Sequence, residues 1–286
     1  MTPSRPRAWR ALAASLVLSA PLAVLAQALP TASPEKVGLS TERLQRISTQ
    51  LKADVAARRI PGAVVLVARH GKVAWFDAVG QLDTARNVPM PQDGIFRIYS
   101  MTKPLTTVAA MMLVEDGKLS LDQPIAQYLP EFAQMKVGVE KPGPDGKPVL
   151  DLVPARRPIT VHDLMRHTSG LTYGFFGPGL VKAAYTQANL FAGNVDNAEF
   201  SRRLAQLPLA YQPGTTWDYS HSTDILGRVV EVASGQSLYA FMKARLLDPL
   251  GMKDTSFYVP EPARQPRIAE PLPDDRNFRV GTDFTD

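Results

Sequence analysis

Ser100-Met101-Thr102-Lys103 places a hydroxyl and an amine three residues apart, where the chain reads as entering a helix. Residues at i and i+3 share one helix face. The positive end of a helix disfavours a protonated amine and favours an alkoxide. A partly buried Lys there, its pKa lowered, can take the Ser proton and leave a nucleophile. The spacing alone is common, with about one chance Ser-x-x-Lys in a chain this long. A second copy, Ser33-Pro34-Glu35-Lys36, lies in a Pro-containing lead-in ahead of any helix and lacks that geometry. The rival reading of Ser100 is an ordinary N-cap beside a solvated Lys.

Other chemistry is poorly represented. With no Cys in 286 residues, the sequence excludes a thiol nucleophile, a disulfide scaffold and a Cys-ligated metal. His70, His162 and His167 lack metal-ligand spacing such as H-E-x-x-H. No G-x-S-x-G elbow surrounds Ser169, which reads as structural, as does His167. No metal or cofactor is implied.

The elements that must position Ser100 and Lys103 follow from periodicity. Ser40 or Thr41 caps a helix with Leu44, Ile47, Leu51 and Val55 at helical spacing. Ala63 to Ala68 and Val73 to Val79, around His70-Gly71-Lys72, read as a hairpin. From Ser100 on the chain reads as mostly helical. Met101 to Asp116 carries Leu105, Val108, Ala109, Met112 and Leu113 on one face, and Gly117 closes it. Asp122 caps a short helix through Tyr128, and Lys141 to Pro158, with five prolines, reads as an extended loop. Thr160 and Asp163 form a capping-box pair. Ser222 caps a helix over 223–234, and Leu238, Phe241, Met242 and Leu246 form a last apolar stripe.

The blocks around the Ser-x-x-Lys add a resemblance. Phe96 to Lys103, followed by Leu113-Val114-Glu115-Asp116-Gly117-Lys118-Leu119-Ser120-Leu121-Asp122-Gln123-Pro124-Ile125, resembles the nucleophile region of serine β-lactamase-related hydrolases. That family includes class C β-lactamases, D-alanyl-D-alanine peptidases and family VIII carboxylesterases. Leu164-Met165-Arg166-His167-Thr168-Ser169-Gly170-Leu171 is similar to its His-Thr-Ser-Gly-Leu segment. Gln212-Pro213-Gly214-Thr215-Thr216-Trp217-Asp218-Tyr219-Ser220 is similar to the stretch carrying its second motif. The resemblance runs from about Pro34 to Tyr258.

It implies an α+β, β-lactamase/transpeptidase-like fold: an antiparallel sheet with flanking helices plus a helical region, the sheet incomplete within this chain. The sheet part spans about 31–96, the mostly helical part 97–258 and a tail 259–286. It implies that Ser100 is the nucleophile, Lys103 its activating base and Tyr219 the motif tyrosine that shares proton transfer with the leaving group. A phenolate at Tyr219 requires neighbouring cations that lower its pKa. Lactam-processing relatives read Tyr-x-Asn, whereas Tyr219-Ser220-His221 puts His221 at the substrate-binding Asn position. Imidazole cannot copy both faces of a carboxamide, which favours esters over lactams.

The implied activity is acyl-enzyme hydrolysis of small carboxylic esters. A β-lactamase or D-alanyl-D-alanine peptidase is the enzymatic alternative. A non-catalytic relative that binds peptidoglycan-like ligands or a partner protein is the alternative of another class, disfavoured by the Ser-Lys-Tyr set. The resemblance also implies a third motif late in the chain. No Lys-Thr-Gly, His-x-Gly or Trp-Gly-Gly follows Tyr258. The expectation is therefore a C-terminally truncated piece with an unpaired hairpin edge, one oxyanion donor where two are normal, and weak activity.

Composition sets the remaining bounds. Hydrophobic residues are 45% and charged residues 21%, as in globular proteins, which excludes intrinsic disorder for the bulk of the chain. Three of the 32 basic residues, Arg5, Arg7 and Arg10, lie in the first 26, leaving 29 against 27 acidic residues. That excess is too small and scattered for nucleic acid. Those three Arg precede an apolar run from Ala11 to Leu25 and small-residue cleavage sites at Val24-Leu25-Ala26 and Ala26-Gln27-Ala28. This is the layout of a signal peptide over 1–26, and the run is shorter than the ~20 residues a spanning helix needs. The mature domain, 27–286, is expected to be exported, periplasmic or secreted, and not to insert stably in a membrane.

Overall fold

The structure, a computed structural model, describes residues 29–275. The expected signal segment and its cleavage sites lie outside the described residues, as does the end from 276 on. The matter between is α+β.

Helix α1, Thr41–Ala56, begins at Ser40, whose side chain accepts from the Arg43 N–H. It lies on the hairpin of β1, Gly62–Arg69, and β2, Lys72–Asp83. Leu44 and Ser48 are its buried positions, and Ser48 Oγ accepts from Trp75 Nε1 at 3.3 Å. The hairpin is antiparallel, with Leu66 opposite Phe76 and Arg69 opposite Lys72 around the His70-Gly71 turn. A short β3, Val88–Pro89, completes a sheet of order β1-β2-β3, so among the described residues β1 is an edge.

The tail takes part in this layer. Ile95 N–H donates to Arg267 O at 2.7 Å, Ala269 N–H to Ile95 O at 2.8 Å and Glu270 N–H to Leu82 O at 2.8 Å. The prolines of this segment, at 260, 262, 266, 271 and 273, spare the residues that pair.

The helical part centres on α2, Thr102–Glu115, and α6, Ser222–Ser234. Ala109, Ala110 and Leu113 of α2 and Ile225, Leu226, Val229 and Val230 of α6 are fully buried in one core cluster. Each large aliphatic side chain so buried contributes about 1.5–3 kcal/mol of transfer free energy. Gly227 allows the close fit, because a Cβ there would lie 3.0 Å from Leu238 Cδ2 and 3.9 Å from Thr106 Cγ2. Short helices α3, Val161–Met165, α4, Leu180–Gln187, α5, Asn197–Leu204, and α7, Leu238–Met242, surround the pair. The capping box at α3 is present in both directions, Thr160 with Asp163.

Three local expectations need correction. The proline-rich stretch after 141 is half of a hairpin, β4, Lys136–Pro142, against β5, Pro148–Pro154. Pro142, Pro148 and Pro154 sit at strand ends, where a missing N–H interrupts little of the ladder. The segment after Asp122 forms 3-10 turns at Ile125–Gln127 and Pro130–Phe132 in place of one short helix. The α6 N-cap is His221 rather than Ser222, whose hydroxyl is buried among other serines.

Candidate active site

Ser100 does not sit in the first turn of α2. It sits in a 3-10 turn, Tyr99–Met101, that runs straight into the helix. Tyr99, at φ +43°, turns the chain sharply into Ser100. Lys103 is the second residue of α2, so the pair spans the junction of turn and helix with both side chains on one face. Lys103 Nζ donates to Ser100 Oγ at 3.1 Å.

Tyr219 arrives from a distant part of the sequence. It lies just ahead of α6, and because α6 packs along α2 the N-terminal ends of both helices meet at the site. Tyr219 Oη donates to Ser100 Oγ at 2.7 Å, and Lys103 Nζ stands 4.8 Å from the centre of the Tyr219 ring. Partial burial pushes the Tyr219 phenol up. Its hydrogen bonds with Lys103 and Ser100, and the ammonium charge of Lys103, outweigh that and hold it below the ordinary phenol value. The positive ends of two helices act in the same direction.

The backbone on both sides of Tyr219 is tied to His167. Asp218 N–H donates to His167 O at 2.9 Å, and Ser220 N–H donates to His167 Nδ1 at 3.3 Å. Nδ1 accepts that bond, which favours the neutral ring. Burial, and then the Lys103 charge, lower the His167 pKa. Below it, Ser169, Ser222 and Ser220 form a buried hydroxyl chain with steps of 2.8 Å. Asp163, accepting from both terminal guanidinium nitrogens of Arg157 at 2.6 and 2.8 Å and from Thr168 Oγ1 at 3.0 Å, anchors the start of the same loop.

His221 is not brought to that cluster. It is 4% exposed, and its Nδ1 lies 3.2 Å from Asp224 Oδ2. Its ring packs among Tyr173 at 4.3 Å, Phe200 at 5.2 Å and Phe191 at 5.8 Å between centroids. Tyr173 in turn lies 5.5 Å from Tyr219, so His221 stands one ring behind the site. The second copy of the motif is apart from all of this: Ser33 precedes a 3-10 turn at Pro34–Val37.

Residues that spacing did not single out flank the cluster. Trp217 stacks near Tyr219, with centroids 6.3 Å apart and rings 18° from parallel. Phe176 lies 6.3 Å from Tyr219 on a Gly-rich loop, Tyr173-Gly174-Phe175-Phe176-Gly177-Pro178-Gly179. Aromatics interleaved with glycines were the available signal. Chemically, the arrangement holds a hydroxyl with two proton carriers within 3.1 Å.

A model of the Beta-lactamase family matches residues 47–284. Protein Rv1367c of Mycobacterium tuberculosis is 42% identical over 207 residues, covering 72% of this chain and 50% of that protein. Esterase EstB of Burkholderia gladioli is 40% identical over 212 residues, again 72% of this chain and 50% of the esterase. Among solved structures, EstCE1, a hydrolase with promiscuous acyltransferase activity, superposes with a TM-score of 0.68 at 30% identity. That match covers 80% of this chain and 58% of EstCE1. The chain spans about half the length of the curated relatives it matches.

Proposed function

This chain belongs to the beta-lactamase family, and on that premise we propose that it is an exported serine hydrolase acting on small carboxylic esters through an acyl-enzyme. The observation that carries the reading is the convergence of Lys103 Nζ and Tyr219 Oη on Ser100 Oγ, at 3.1 and 2.7 Å. Ser100 Oγ attacks the ester carbonyl while its proton passes to the Lys103–Tyr219 pair. The tetrahedral oxyanion takes the Ser100 N–H as one donor. Tyr219 delivers the proton to the departing alkoxide, and water then releases the acid by the reverse route.

Esters are favoured over lactams because position 221 supplies no carboxamide to the site: it carries an imidazole, and that ring is buried behind Tyr173. The likeness to an esterase at 40% identity supports the same substrate class. A second reading, transfer of the acyl group to an alcohol instead of water, draws support from the promiscuous acyltransferase activity of EstCE1. It needs the same acyl-enzyme. Export rests on the Arg5-Arg7-Arg10 segment and its apolar run, and N-terminal sequencing of protein recovered outside the cytoplasm tests it. The test of the reaction is p-nitrophenyl acetate. A burst of p-nitrophenol equal to the enzyme concentration supports the acyl-enzyme, and release at the Ser100→Ala rate contradicts it.

A further inference from the structure

Tyr219 has two exposed aromatic groups beside it. Trp217, 6.3 Å away, is 66% exposed; Phe176, also 6.3 Å away, is 47% exposed and its neighbour Phe175 is 70% exposed. Phe175 and Phe176 contact each other at 4.6 Å, and Phe175 stacks on Tyr173 at 4.9 Å. Large apolar side chains exposed together beside a nucleophile form a binding surface rather than scattered surface residues.

The loop bearing the two Phe is fixed from beneath by one cation. Lys182, on α4, is 16% exposed and donates to the Phe176 carbonyl. Its Nζ lies 4.0 Å from Asp218 Oδ1, and Asp218 is the residue between Trp217 and Tyr219. Asp218 Oδ2 is buried with no hydrogen-bond partner among the described residues. The Lys182 charge, 4.0 Å from Oδ1, compensates this carboxylate. Gly174 lets the loop lie against α4, since a Cβ there would come 2.6 Å from the Thr186 nitrogen. One ammonium therefore joins α4, the aromatic loop and the segment that carries Tyr219.

We infer that this aromatic rim receives the alcohol portion of the ester, selecting alcohols with an aromatic or bulky apolar group, and that Lys182 is the positioning residue that holds the rim in place. The side of the ester follows from the chemistry, and so rests on the hydrolase reading above. As the Ser100 Oγ–carbonyl bond forms, the bond between carbonyl carbon and alcohol oxygen breaks, and the proton leaving Ser100 ends on that oxygen by way of Tyr219. The alcohol oxygen must therefore lie at Tyr219 Oη, and its substituent must lie against the rings that flank Tyr219.

Acetates of different alcohols form the same acetyl-enzyme, so their contrast in kcat/KM reports acylation alone. On the full chain, 2-phenylethyl acetate should exceed ethyl acetate in kcat/KM by about ten-fold or more, the discrimination an apolar pocket provides for added carbon. Phe175→Ala should cut that ratio several-fold. Lys182→Met should cut it likewise, and Lys182→Arg should restore it. A ratio near one in the unmutated chain, or one unmoved by Phe175→Ala, overturns the rim. A ratio unmoved by Lys182→Met overturns the role of Lys182. Binding of 2-phenylethanol against ethanol to Ser100→Ala, read by tryptophan fluorescence, separates the two levels. Selective binding that Phe175→Ala abolishes, with neither ester turned over, upholds the rim and overturns the hydrolase reading. Absence of both selective binding and turnover overturns the two together.

Discussion

Tyr219 Oη lies 2.7 Å from Ser100 Oγ although 119 residues separate them in the chain. The contact exists because α2 and α6 bury their apolar faces against each other, and Ser100 and Tyr219 stand two and three residues ahead of the first helical residues, Thr102 and Ser222. Helix packing, not local sequence, assembles the site.

That assembly predicts shared work. Lys103→Ala and Tyr219→Phe should each lower kcat/KM for p-nitrophenyl acetate by orders of magnitude, and the double variant should be little worse, because residues acting as a unit are non-additive. Steady-state kinetics on the four proteins checks this. Losses that multiply would show that one of the two is a packing residue.

The lowered phenol predicts a pH profile. Activity needs Tyr219 able to accept a proton, so kcat/KM should rise with pH through a limb below 10.0, the ordinary phenol value. Lys103→Met removes the ammonium that holds the phenol down, so whatever activity remains should show that limb at higher pH. A profile that stays in place in Lys103→Met contradicts this coupling.

Asp163 predicts a stability effect. Asp163 is 5% exposed. Burial pushes its carboxyl up, but hydrogen bonds from Arg157, Thr160 and Thr168 outweigh it and hold the pKa below 3.8. The folded state then binds fewer protons than the unfolded state around that pH. The stabilisation is present above 3.8 and is lost as pH falls through the folded-state value. Asp163→Asn should cost about 2–3 kcal/mol at neutral pH, less than the loss of a fully buried pair because the Arg157 side chain is 42% exposed. It should also flatten the acid side of the stability profile, as urea melts at pH 3 to 7 would show.

Substrate choice predicts a contrast between compound classes. Because His221 is buried behind Tyr173 and offers no carboxamide to a lactam's side-chain amide, short-chain esters should be turned over far faster than cephalosporins. A nitrocefin rate comparable with the p-nitrophenyl acetate rate would overturn the preference.

Much of this fold is legible from spacing. The Ser40 cap, the hairpin around His70-Gly71, the Thr160–Asp163 box and the buried stripe of α6 all depend on neighbours within a few residues, and the structure has them. Features decided at longer range were not legible. Prolines at 142, 148 and 154 suggest a loop because nothing local marks them as strand ends. Helices α4 and α5 are short, with few positions to reveal a period. Ser100, Lys103 and Tyr219 meet at hydrogen-bond distance. The seat of His221 behind Tyr173, and the hold of Lys182 on Asp218, depend on which segments pack together.

The most direct test of the central claim is mass spectrometry of the chain after reaction with a fluorophosphonate. The account predicts one adduct, on the peptide carrying Ser100, absent in Ser100→Ala protein that keeps its cooperative melt. An adduct that persists in Ser100→Ala, on Ser33 or Ser169, would contradict it.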